Sequence, residues 1–522
     1  MYGATVSTVA GSALDDFTAL LGPDRVVSDE DGLRAYRDPY SFPSWDEYTA
    51  SAVVIPETVE EVQEIVRIAG RHGVPLWPIS QGRNNGYGGP APRVKGSVIV
   101  SMKNMNRVLE IDEESAFAVV EPGVRWFDLY EAIRAGGHRL MLSIADIGWG
   151  SVVGNTLDNG ITYLPYGQDQ MMQCGMEVVL PDGDVMRTGM GAMPGNRSWQ
   201  MYKRGLGPTP DQLFMQSNYG IVTKMGVWLM PYPETYMPCW VRVWNDADLG
   251  RVVDVLRRLL LDGTIRGVPQ IINTVLYATI VTERTKWWQG EGPIPDEVLD
   301  QMARELDIGR WLMRCAIWGD EAVVDHNFAK IRAAFESIGG VDVWGTKVAP
   351  EDIPSLENPH ERVQGGVPSL DLNAMAGWYG GEEGGHVGFS PISPLRSADA
   401  LELRDLLRSG IEGAGLDYMA AFLPVSARSF AHITLVIFDT KDEAQARAAY
   451  DVSKKLVVEA AKKGFGEYRA HLDFMDLAAE QYSWNDHAYM RFCERIKDAL
   501  DPDGILAPGK QAIWPRSMRT EQ

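Results

Sequence analysis

The sequence is poor in cysteine, with four among 522 residues. Cys174, Cys239, Cys315 and Cys493 lie far apart, and no two of them form a Cys-x-x-Cys pair. Zinc ribbons and small disulfide-stapled domains need closely spaced cysteines, so both classes are excluded. We therefore expect reduced thiols and no metal site.

Long apolar segments are also missing, and no run approaches the roughly 18 residues that a membrane span needs. The first residues, Met1–Val6, include no basic side chain and begin no apolar stretch of signal-peptide length. We therefore expect a cytoplasmic protein without a membrane partner.

Positive charge is in deficit, since 49 lysines and arginines face 71 aspartates and glutamates, giving a formal net charge of -22. Such a chain repels phosphate backbones, so we expect no nucleic-acid partner. With 45% hydrophobic residues the composition is ordinary for a globular protein. The length predicts two or more domains.

Helical and strand-like patterns alternate between about residues 51 and 231. One helix is predicted after Thr58, which has capping-box spacing to Glu61, and Gly73 closes it. A second is predicted over Trp126–Ala135. Strands are predicted for the apolar, β-branched runs Ser51–Ile55, Val74–Ser80, Ser97–Met102, Ala116–Val120 and Gly220–Met230, and a hairpin for Glu177–Leu180 with Asp184–Arg187.

The pattern changes after Pro231, where the predicted helices become longer and amphipathic. They are Arg251–Leu261, Val323–Phe335, Ala398–Ile411 and Glu443–Lys463. With intervening strands such as His432–Phe438, this region is typical of an α+β domain, an antiparallel sheet with helices on one side. From Gly466 onward, motif-like residues suggest a segment that returns to the first domain.

A loop dense in glycine and asparagine, Ser80–Pro90, connects two predicted strands. Such residues tolerate positive φ, so that successive backbone N–H groups can converge on an anion. A flexible surface loop is the alternative. The loop is neither a P-loop nor a Gly-x-Gly-x-x-Gly motif. Its candidate cofactor residues are Ser80, Gly82, Asn84, Asn85, Gly86 and Gly88.

Two further segments, Asp146–Thr156 and Gln216–Thr223, repeat this small-residue character. Small residues permit close approach of the backbone to a flat or phosphorylated ligand. Together with the first loop, they indicate a dinucleotide site. The candidate residues here are Gly150, Ser151, Gly154, Asn155 and Ile221.

His386 lies in a third glycine-rich stretch, Gly384–Pro391. Glycines on both sides allow something large to lie against the backbone, which favours a reactive imidazole presented to a cofactor. From this stretch alone, an inert core histidine on a strand is the more common outcome.

These segments together resemble the vanillyl-alcohol oxidase and p-cresol methylhydroxylase family of flavoproteins, and most closely its bacterial eugenol-oxidase branch. The matches are collinear over nearly the whole chain. They are Pro56–Thr58, Asn84–Gly89, Glu121–Val124, Gly148–Asn155, Gly385–His386, Gly466–Arg469 and Asp501–Lys510.

The resemblance implies an α+β protein of the p-cresol methylhydroxylase type. Its FAD-binding domain is then built from residues 1–232 and 466–522, with an α+β cap for the substrate at 233–465. FAD is the implied cofactor, bonded covalently to His386 and also contacted by Lys510. A homodimer is the implied assembly.

The resemblance also implies a chemistry. Tyr87, Tyr468 and Arg469 match the trio that binds a phenolate, and Asp146 matches an acidic residue beside the reactive flavin nitrogen. The implied reaction is oxidation of a para-substituted phenol by hydride transfer to flavin, through a p-quinone methide, with O2 reduced to H2O2. A dehydrogenase that passes electrons to a cytochrome is the alternative, although those relatives attach flavin through a tyrosine.

Three positions depart from the family pattern. The second histidine that assists flavin attachment in the larger fungal relatives has no counterpart, because no histidine precedes His72. The arginine that balances charge on the reduced flavin has no aligned match, and Arg362 is the nearest. Ala420–Pro424 is apolar where a polar contact is expected, which predicts a preference for bulkier or more apolar rings.

Overall fold

The computed structural model of the chain describes residues 11–41, 47–166 and 169–519. The expectation drawn from Met1–Val6 concerns residues outside these ranges. No helix within them is both long and apolar enough to cross a membrane. All four cysteines are buried and free, as their spacing predicted.

Helices and strands are numbered in chain order. The strands are β1 Val26–Val27, β2 Ala52–Val54, β3 Leu76–Ile79, β4 Val98–Ser101, β5 Val108–Asp112, β6 Phe117–Val120, β7 Leu140–Met141, β8 Gln173–Val179, β9 Val185–Arg187, β10 Ile221–Trp228, β11 Met230–Pro231, β12 Thr235–Val243, β13 Gln270–Asn273, β14 Trp311–Gly319, β15 Val341–Gly345, β16 Gly384–Phe389, β17 Ile392–Pro394, β18 Ala420–Ser426 and β19 Ser429–Asp439. The α-helices are α1 Gly11–Leu21, α2 Glu30–Arg34, α3 Val59–His72, α4 Trp126–Ala135, α5 Val152–Leu157, α6 Asp169–Met172, α7 Leu249–Leu261, α8 Thr274–Val281, α9 Asp296–Glu305, α10 Glu321–Glu336, α11 Pro359–Gln364, α12 Ser397–Gly413, α13 Glu443–Lys462, α14 Met475–Glu480 and α15 Trp484–Leu500.

The first sheet has the order β1-β2-β4-β3, in which β2, β4 and β3 are parallel. Helix α3 connects β2 to β3 and is capped as the sequence predicted. The Thr58 side chain accepts a hydrogen bond from Glu61 N–H, and Gly73 ends the helix at φ 63°. The apolar face of α3 packs with α1 against this sheet.

The second sheet, β5-β6-β10-β8-β9, is antiparallel. The predicted hairpin is confirmed as β8 and β9, and the predicted helix Trp126–Ala135 is confirmed as α4. Strand β10 ends at Trp228, two residues before the predicted end, and Met230 pairs instead with Met141.

The third sheet has the order β15-β12-β14-β13-β18-β19-β16, with β17 beside β19, and all its pairings are antiparallel. The four long helices α7, α10, α12 and α13 pack on one face, as predicted. The prediction was incomplete, because α8 and α9 pack with the other face and with the second sheet. Successive side chains of a strand point to different layers, so that Met313 of β14 packs with the long helices and Leu312 packs in the other core.

The C-terminal segment returns to the first sheet. Leu76 N–H donates to Ile505 O at 2.7 Å, and Ala507 N–H donates to Leu76 O at 2.7 Å. The buried Lys497 ammonium donates to the carbonyls of Asn218 and Leu506. Residues far apart in the sequence therefore share one core, as a FAD-binding part assembled from both ends requires. The domain boundaries near 232 and 465 stay predictions.

Candidate active site

A cavity of about 210 Å³ lies where the first two sheets meet the C-terminal segment. Its walls come from the loop after β3, the turn into α5, the segment before β10 and the C-terminal segment. It is lined by many of the predicted cofactor residues: Ser80, Gly82, Asn84, Gly150, Ser151, Gly154, Asn155, Ile221 and Lys510. The other predicted cofactor residues, Asn85, Gly86, Gly88 and His386, do not line it.

Two glycines allow the backbone to close around this region. Gly86 has a φ of 78°, and a Cβ at this position would lie 2.4 Å from His386 Nε2. A Cβ on Gly154 would lie 2.3 Å from Ser80 Oγ. Both separations are far below any real contact, so a side chain at either position would force the two segments apart. Gly86 thus allows the loop to approach β16, and Gly154 allows α5 to approach the start of the loop at Ser80.

The loop is held by its own asparagine and by neighbouring residues. Asn84 O accepts hydrogen bonds from Tyr87 N–H at 3.1 Å and Gly89 N–H at 3.0 Å. Gly86 O accepts from Gly388 N–H of β16 at 2.8 Å. These bonds close a turn and fix it to the cap, so the loop is ordered and not the flexible alternative.

His386 lies on the cap strand β16, opposite this turn. Val387 and Phe389 are buried in the helix-covered core, so alternation along the strand directs His386 and Gly388 to the other face. The Nδ1 atom of His386 is buried and has no hydrogen-bond partner within the described residues. Burial lowers the pKa of His386 to about 4. The imidazole is therefore neutral, with a free lone pair.

The predicted phenolate residues lie together. The Arg469 guanidinium carbon lies 4.4 Å from the centre of the Tyr87 ring, and Arg469 also hydrogen-bonds with the Tyr468 side chain. Arg469 Nη2 donates to Asn84 Oδ1. The Tyr87 hydroxyl lies 3.1 Å from Ser390 Oγ. Tyr87 and Arg469 line the cavity, whereas Tyr468 does not.

Burial keeps both tyrosines of this cluster protonated. It raises the pKa of Tyr87 and of Tyr468, and the nearby Arg469 charge only partly opposes this. A protonated hydroxyl can donate a hydrogen bond to an anion. Two donors and one guanidinium therefore converge near the same end of the cavity.

Two carboxyl groups beside the cluster were missed from the sequence. Asp158 lies 3.0 Å from Lys510 Nζ and 3.8 Å from Arg469 Nη2. Burial raises the pKa of Asp158, but the two cations outweigh this and leave the pKa below its ordinary value. Glu467 accepts from Ser390 N–H at 2.8 Å and Arg469 N–H at 3.0 Å, and burial raises its pKa to about 8.

Asp146 belongs to a separate cluster and does not line the cavity. Its Oδ1 accepts from Arg314 Nη2 at 2.9 Å, and its Oδ2 accepts from the Tyr163 hydroxyl. The Arg314 guanidinium also lies 4.4 Å from the centre of the Tyr163 ring. Asp146 is therefore held by two donors.

Arg314 was missed from the sequence, although a signal existed. It is the single charged residue within the apolar strand β14 and is fully buried on the face opposite the long helices. Arg362, the arginine nearest to the unaligned family position, is instead bound to Asp371 and to the carbonyls of Leu356 and Glu357. The arginine beside Asp146 is Arg314 and not Arg362.

The apolar segment Ala420–Pro424 forms most of strand β18. Ala421 and Leu423 pack in the core between the cap sheet and the second sheet, while Phe422 packs on the helix side. The segment thus presents small and apolar side chains to the layer that contains Asp146's partners, and its effect on ring preference stays a prediction.

Comparison with known proteins decides the family. Two domain models match, "FAD binding domain" at residues 50–189 and "FAD linked oxidases, C-terminal domain" at residues 429–511. The 4-cresol dehydrogenase [hydroxylating] flavoprotein subunit of Pseudomonas putida is 37% identical, over 96% of this chain and 95% of its own. The chain belongs to the vanillyl-alcohol oxidase and p-cresol methylhydroxylase family.

Solved structures of this flavoprotein family agree closely with the fold. The 4-ethylphenol oxidase of Gulosibacter chungangensis superposes with a TM-score of 0.94 at 38% identity, covering 99% of this chain and 100% of its own. p-Cresol methylhydroxylase superposes with a TM-score of 0.90 at 37% identity, covering 97% of each chain. The predicted resemblance and fold class are confirmed, and the chain is a flavin-dependent oxidoreductase.

The cavity suits the cofactor of the family. The loop after β3, the turn into α5 and the segment before β10 give it glycine-rich walls, and Lys510 supplies a cation. An FAD would be held by the loop after β3, the turn into α5 and Lys510. A bound FAD would accept a hydride, and residues of the protein would position the substrate.

Proposed function

We propose that this flavoprotein oxidises para-substituted phenols: 4-alkylphenols, 4-allylphenols and 4-hydroxybenzyl alcohols. The observation that carries the proposal is the cluster of Tyr87, Tyr468 and Arg469, of which Tyr87 and Arg469 line the cofactor cavity. The named activities of two relatives, a 4-cresol dehydrogenase and a 4-ethylphenol oxidase, involve phenols with a para substituent.

The cluster can bind its substrate as a phenolate. A guanidinium about 4 Å from the phenol oxygen, at an effective dielectric near 20, stabilises the anion by roughly 4 kcal/mol. That lowers a phenol pKa from about 10 to about 7. Tyr87 and Tyr468 remain protonated and add hydrogen bonds to the anion. The electron-rich phenolate then favours departure of a hydride from the α-carbon of the para substituent.

Asp146 is proposed to move the proton that this oxidation requires. Loss of a hydride converts the phenolate to a p-quinone methide, which either adds water or loses a proton. A carboxylate can activate the water or accept the proton. Arg314 and Tyr163 fix the position of the Asp146 carboxyl by donating to its two oxygens.

FAD is proposed to be attached covalently through His386. The ring is neutral, and its Nε2 lies against Gly86 at the turn that borders the cofactor cavity. A permanent bond would hold the flavin ring against the phenolate cluster. Acid precipitation tests this directly, because a covalently attached flavin stays with the protein and an unattached flavin colours the supernatant.

The electron acceptor is proposed to be O2, which is reduced to H2O2. The second candidate is a dehydrogenase that passes electrons to a cytochrome, since the Pseudomonas putida relative is named as a flavoprotein subunit. A homodimer, a cytoplasmic location and the absence of membrane or nucleic-acid partners stay predictions.

One set of assays tests the proposal. 4-Ethylphenol, p-cresol, eugenol and vanillyl alcohol are mixed with the enzyme in air, and peroxide and product are measured. The same phenols are added without oxygen, and bleaching of the flavin absorbance is followed. Bleaching with peroxide formation supports an oxidase. Bleaching that only a cytochrome or a dye can reverse supports the dehydrogenase, and no bleaching by any phenol contradicts the proposal.

A further inference from the structure

Three ionisable side chains form a buried cluster that meets His386 through the Tyr40 ring. Asp38 and Tyr40 come from the loop after α2, and His471 comes from the C-terminal segment. Asp38 is 7% exposed, Tyr40 9% and His471 0%. Burial of a carboxyl and two polar rings together is unfavourable unless they interact, so we expect specific contacts among these side chains.

The contacts within the group are specific. Asp38 Oδ1 accepts a hydrogen bond from Tyr40 N–H at 3.0 Å, and Asp38 Oδ2 lies 3.4 Å from His471 Nε2. The Tyr40 ring centre lies 4.9 Å from that of His386. The Tyr40 hydroxyl is hydrogen-bonded with the Asn85 side chain, in the loop that borders the cofactor cavity. The group therefore joins His386 to both ends of the chain.

The tautomer of His471 follows from its other nitrogen. His471 Nδ1 accepts a hydrogen bond from Asp473 N–H at 3.1 Å, so a neutral ring carries its proton on Nε2. That nitrogen lies 3.4 Å from Asp38 Oδ2 without forming a hydrogen bond with it. Asp38 Oδ2 is therefore a buried oxygen that has no hydrogen-bond partner within the described residues.

His386 needs such a neighbour for the attachment proposed above. Its pKa is lowered by burial and by His471, whereas the Asp38 charge acts in the opposite direction. When Nε2 of a neutral ring bonds to carbon, the ring becomes positively charged unless Nδ1 loses its proton. A carboxylate close to the ring can balance that charge and receive the proton. Asp38 is such a carboxyl, because it accepts from the N–H of Tyr40, whose ring centre lies 4.9 Å from that of His386.

We propose that Asp38, which lies beside His471 and Tyr40, is the positioning residue that makes His386 nucleophilic for covalent attachment of FAD. The inference rests on the covalent attachment in the proposed function. A bond forms between Nε2 and the methyl carbon on the dimethylbenzene ring of FAD. The imidazole proton passes to Asp38, and the methyl C–H bond breaks with loss of its proton. The electron pair of that bond reduces the flavin, and the acceptor that serves turnover, O2 or a cytochrome, reoxidises it.

The test measures attachment separately from binding and from activity. Wild type, Asp38→Asn, Asp38→Glu, His471→Asn and His386→Ala are purified, and total bound FAD is read from absorbance. The fraction that stays with acid-precipitated protein, and that fluoresces on a denaturing gel, is followed during incubation with excess FAD. Asp31→Asn, which changes an exposed carboxylate on α2, is the matched control.

We expect Asp38→Asn to bind FAD but to attach it about 100-fold more slowly, the lower end of what a positioned base contributes. His471→Asn keeps an acceptor for Asp473 N–H but removes the imidazole that lies 3.4 Å from Asp38 Oδ2, so it should slow attachment less. Asp38→Glu should restore most of the rate. His386→Ala should attach none, and Asp31→Asn should behave as wild type.

The outcomes that overturn the inference are distinct. Attachment by Asp38→Asn at the wild-type rate contradicts the role of Asp38 alone. If Asp38→Asn does not fold, attachment by His471→Asn at the wild-type rate contradicts it instead. Release of all flavin from the acid-precipitated wild type removes the covalent attachment itself, and the inference with it, while leaving phenol oxidation to its own assay.

Discussion

Two arginine–carboxylate pairs of this flavoprotein differ in how closely each arginine holds its carboxylate. Arg314 donates to Asp146 at 2.9 Å and does not line the cofactor cavity. Arg469 lies 3.8 Å from Asp158 and lines that cavity. An arginine that faces the cavity can receive an anionic ligand, whereas an arginine bonded directly to its carboxylate fixes the position of that carboxylate. Arg314 therefore orients Asp146, and Arg469 is available to a ligand.

The largest effect is expected from replacing Arg469, the arginine that lines the cofactor cavity. Arg469→Met removes the charge that stabilises the phenolate, which is worth roughly 4 kcal/mol or about 1,000-fold in kcat/KM. Steady-state kinetics with 4-ethylphenol check this. Arg396→Met, at an exposed surface pair, is the matched control and should be unchanged. Equal losses in both variants would contradict the comparison.

Asp146→Asn should affect the chemical steps more than binding. A positioned acid–base group contributes about 100-fold or more, so kcat is expected to fall by that factor while KM changes little. Product formation with 4-ethylphenol measures this. Asp307→Asn replaces a largely exposed carboxylate and should retain full activity. A rise in KM with unchanged kcat would assign Asp146 to substrate binding instead.

Tyr163→Phe tests how much the Tyr163 hydroxyl contributes to the orientation of Asp146. The variant removes one donor to Asp146 and leaves Arg314 in place. A hydrogen bond to a charged group is worth about 1.5 kcal/mol or somewhat more, so a loss of about tenfold in kcat is expected. If kcat falls as far as in Asp146→Asn, Tyr163 takes part in the chemistry and is more than a support.

The smallest effect concerns pH and Glu467. Its pKa is raised to about 8 by burial, so the carboxyl is neutral below that pH and becomes an anion beside Arg469 above it. A neighbouring anion competes with the phenolate, so KM should rise above about pH 8 by a few-fold. Glu467→Gln should remove this rise.

The same raised pKa has a consequence for stability. A carboxyl that binds its proton more tightly when folded favours the folded state at low pH, and this contribution is lost as pH rises through about 8. Thermal unfolding between pH 6 and 9 should therefore show a smaller decline in Glu467→Gln than in wild type. An identical decline in both would assign the pH dependence to other groups.

Local signals predicted the parts of the fold that depend on neighbouring residues. Helix α3 was predicted from Thr58 and Gly73, because caps act within a few residues. The glycine loop was predicted because small residues mark close backbone approach. Arg314 and Asp146 are 168 residues apart, and no local pattern pairs them. The carboxyls of Asp158 and Glu467 were missed for the same reason.

The family resemblance supplied what local patterns lacked, including the grouping of Tyr87 with Tyr468 and Arg469. It did not supply the surroundings of His386. The sequence has no early histidine, and Asp38 and Tyr40 of that early region and His471 of the C-terminal segment were not predicted to lie near His386. A search for one residue type does not find a different residue type that serves the same purpose.

The return of the C-terminal segment to the first sheet has a consequence for synthesis. During translation the loop after β3 leaves the ribosome more than 400 residues before Lys510, so its partners do not yet exist. The nascent FAD-binding part must wait, with an open sheet edge at Leu76, until Ile505 and Ala507 arrive to pair with it. We therefore expect FAD to bind only after the C-terminal segment has been synthesised, so a chain that ends before Ile505 should not form the complete FAD site.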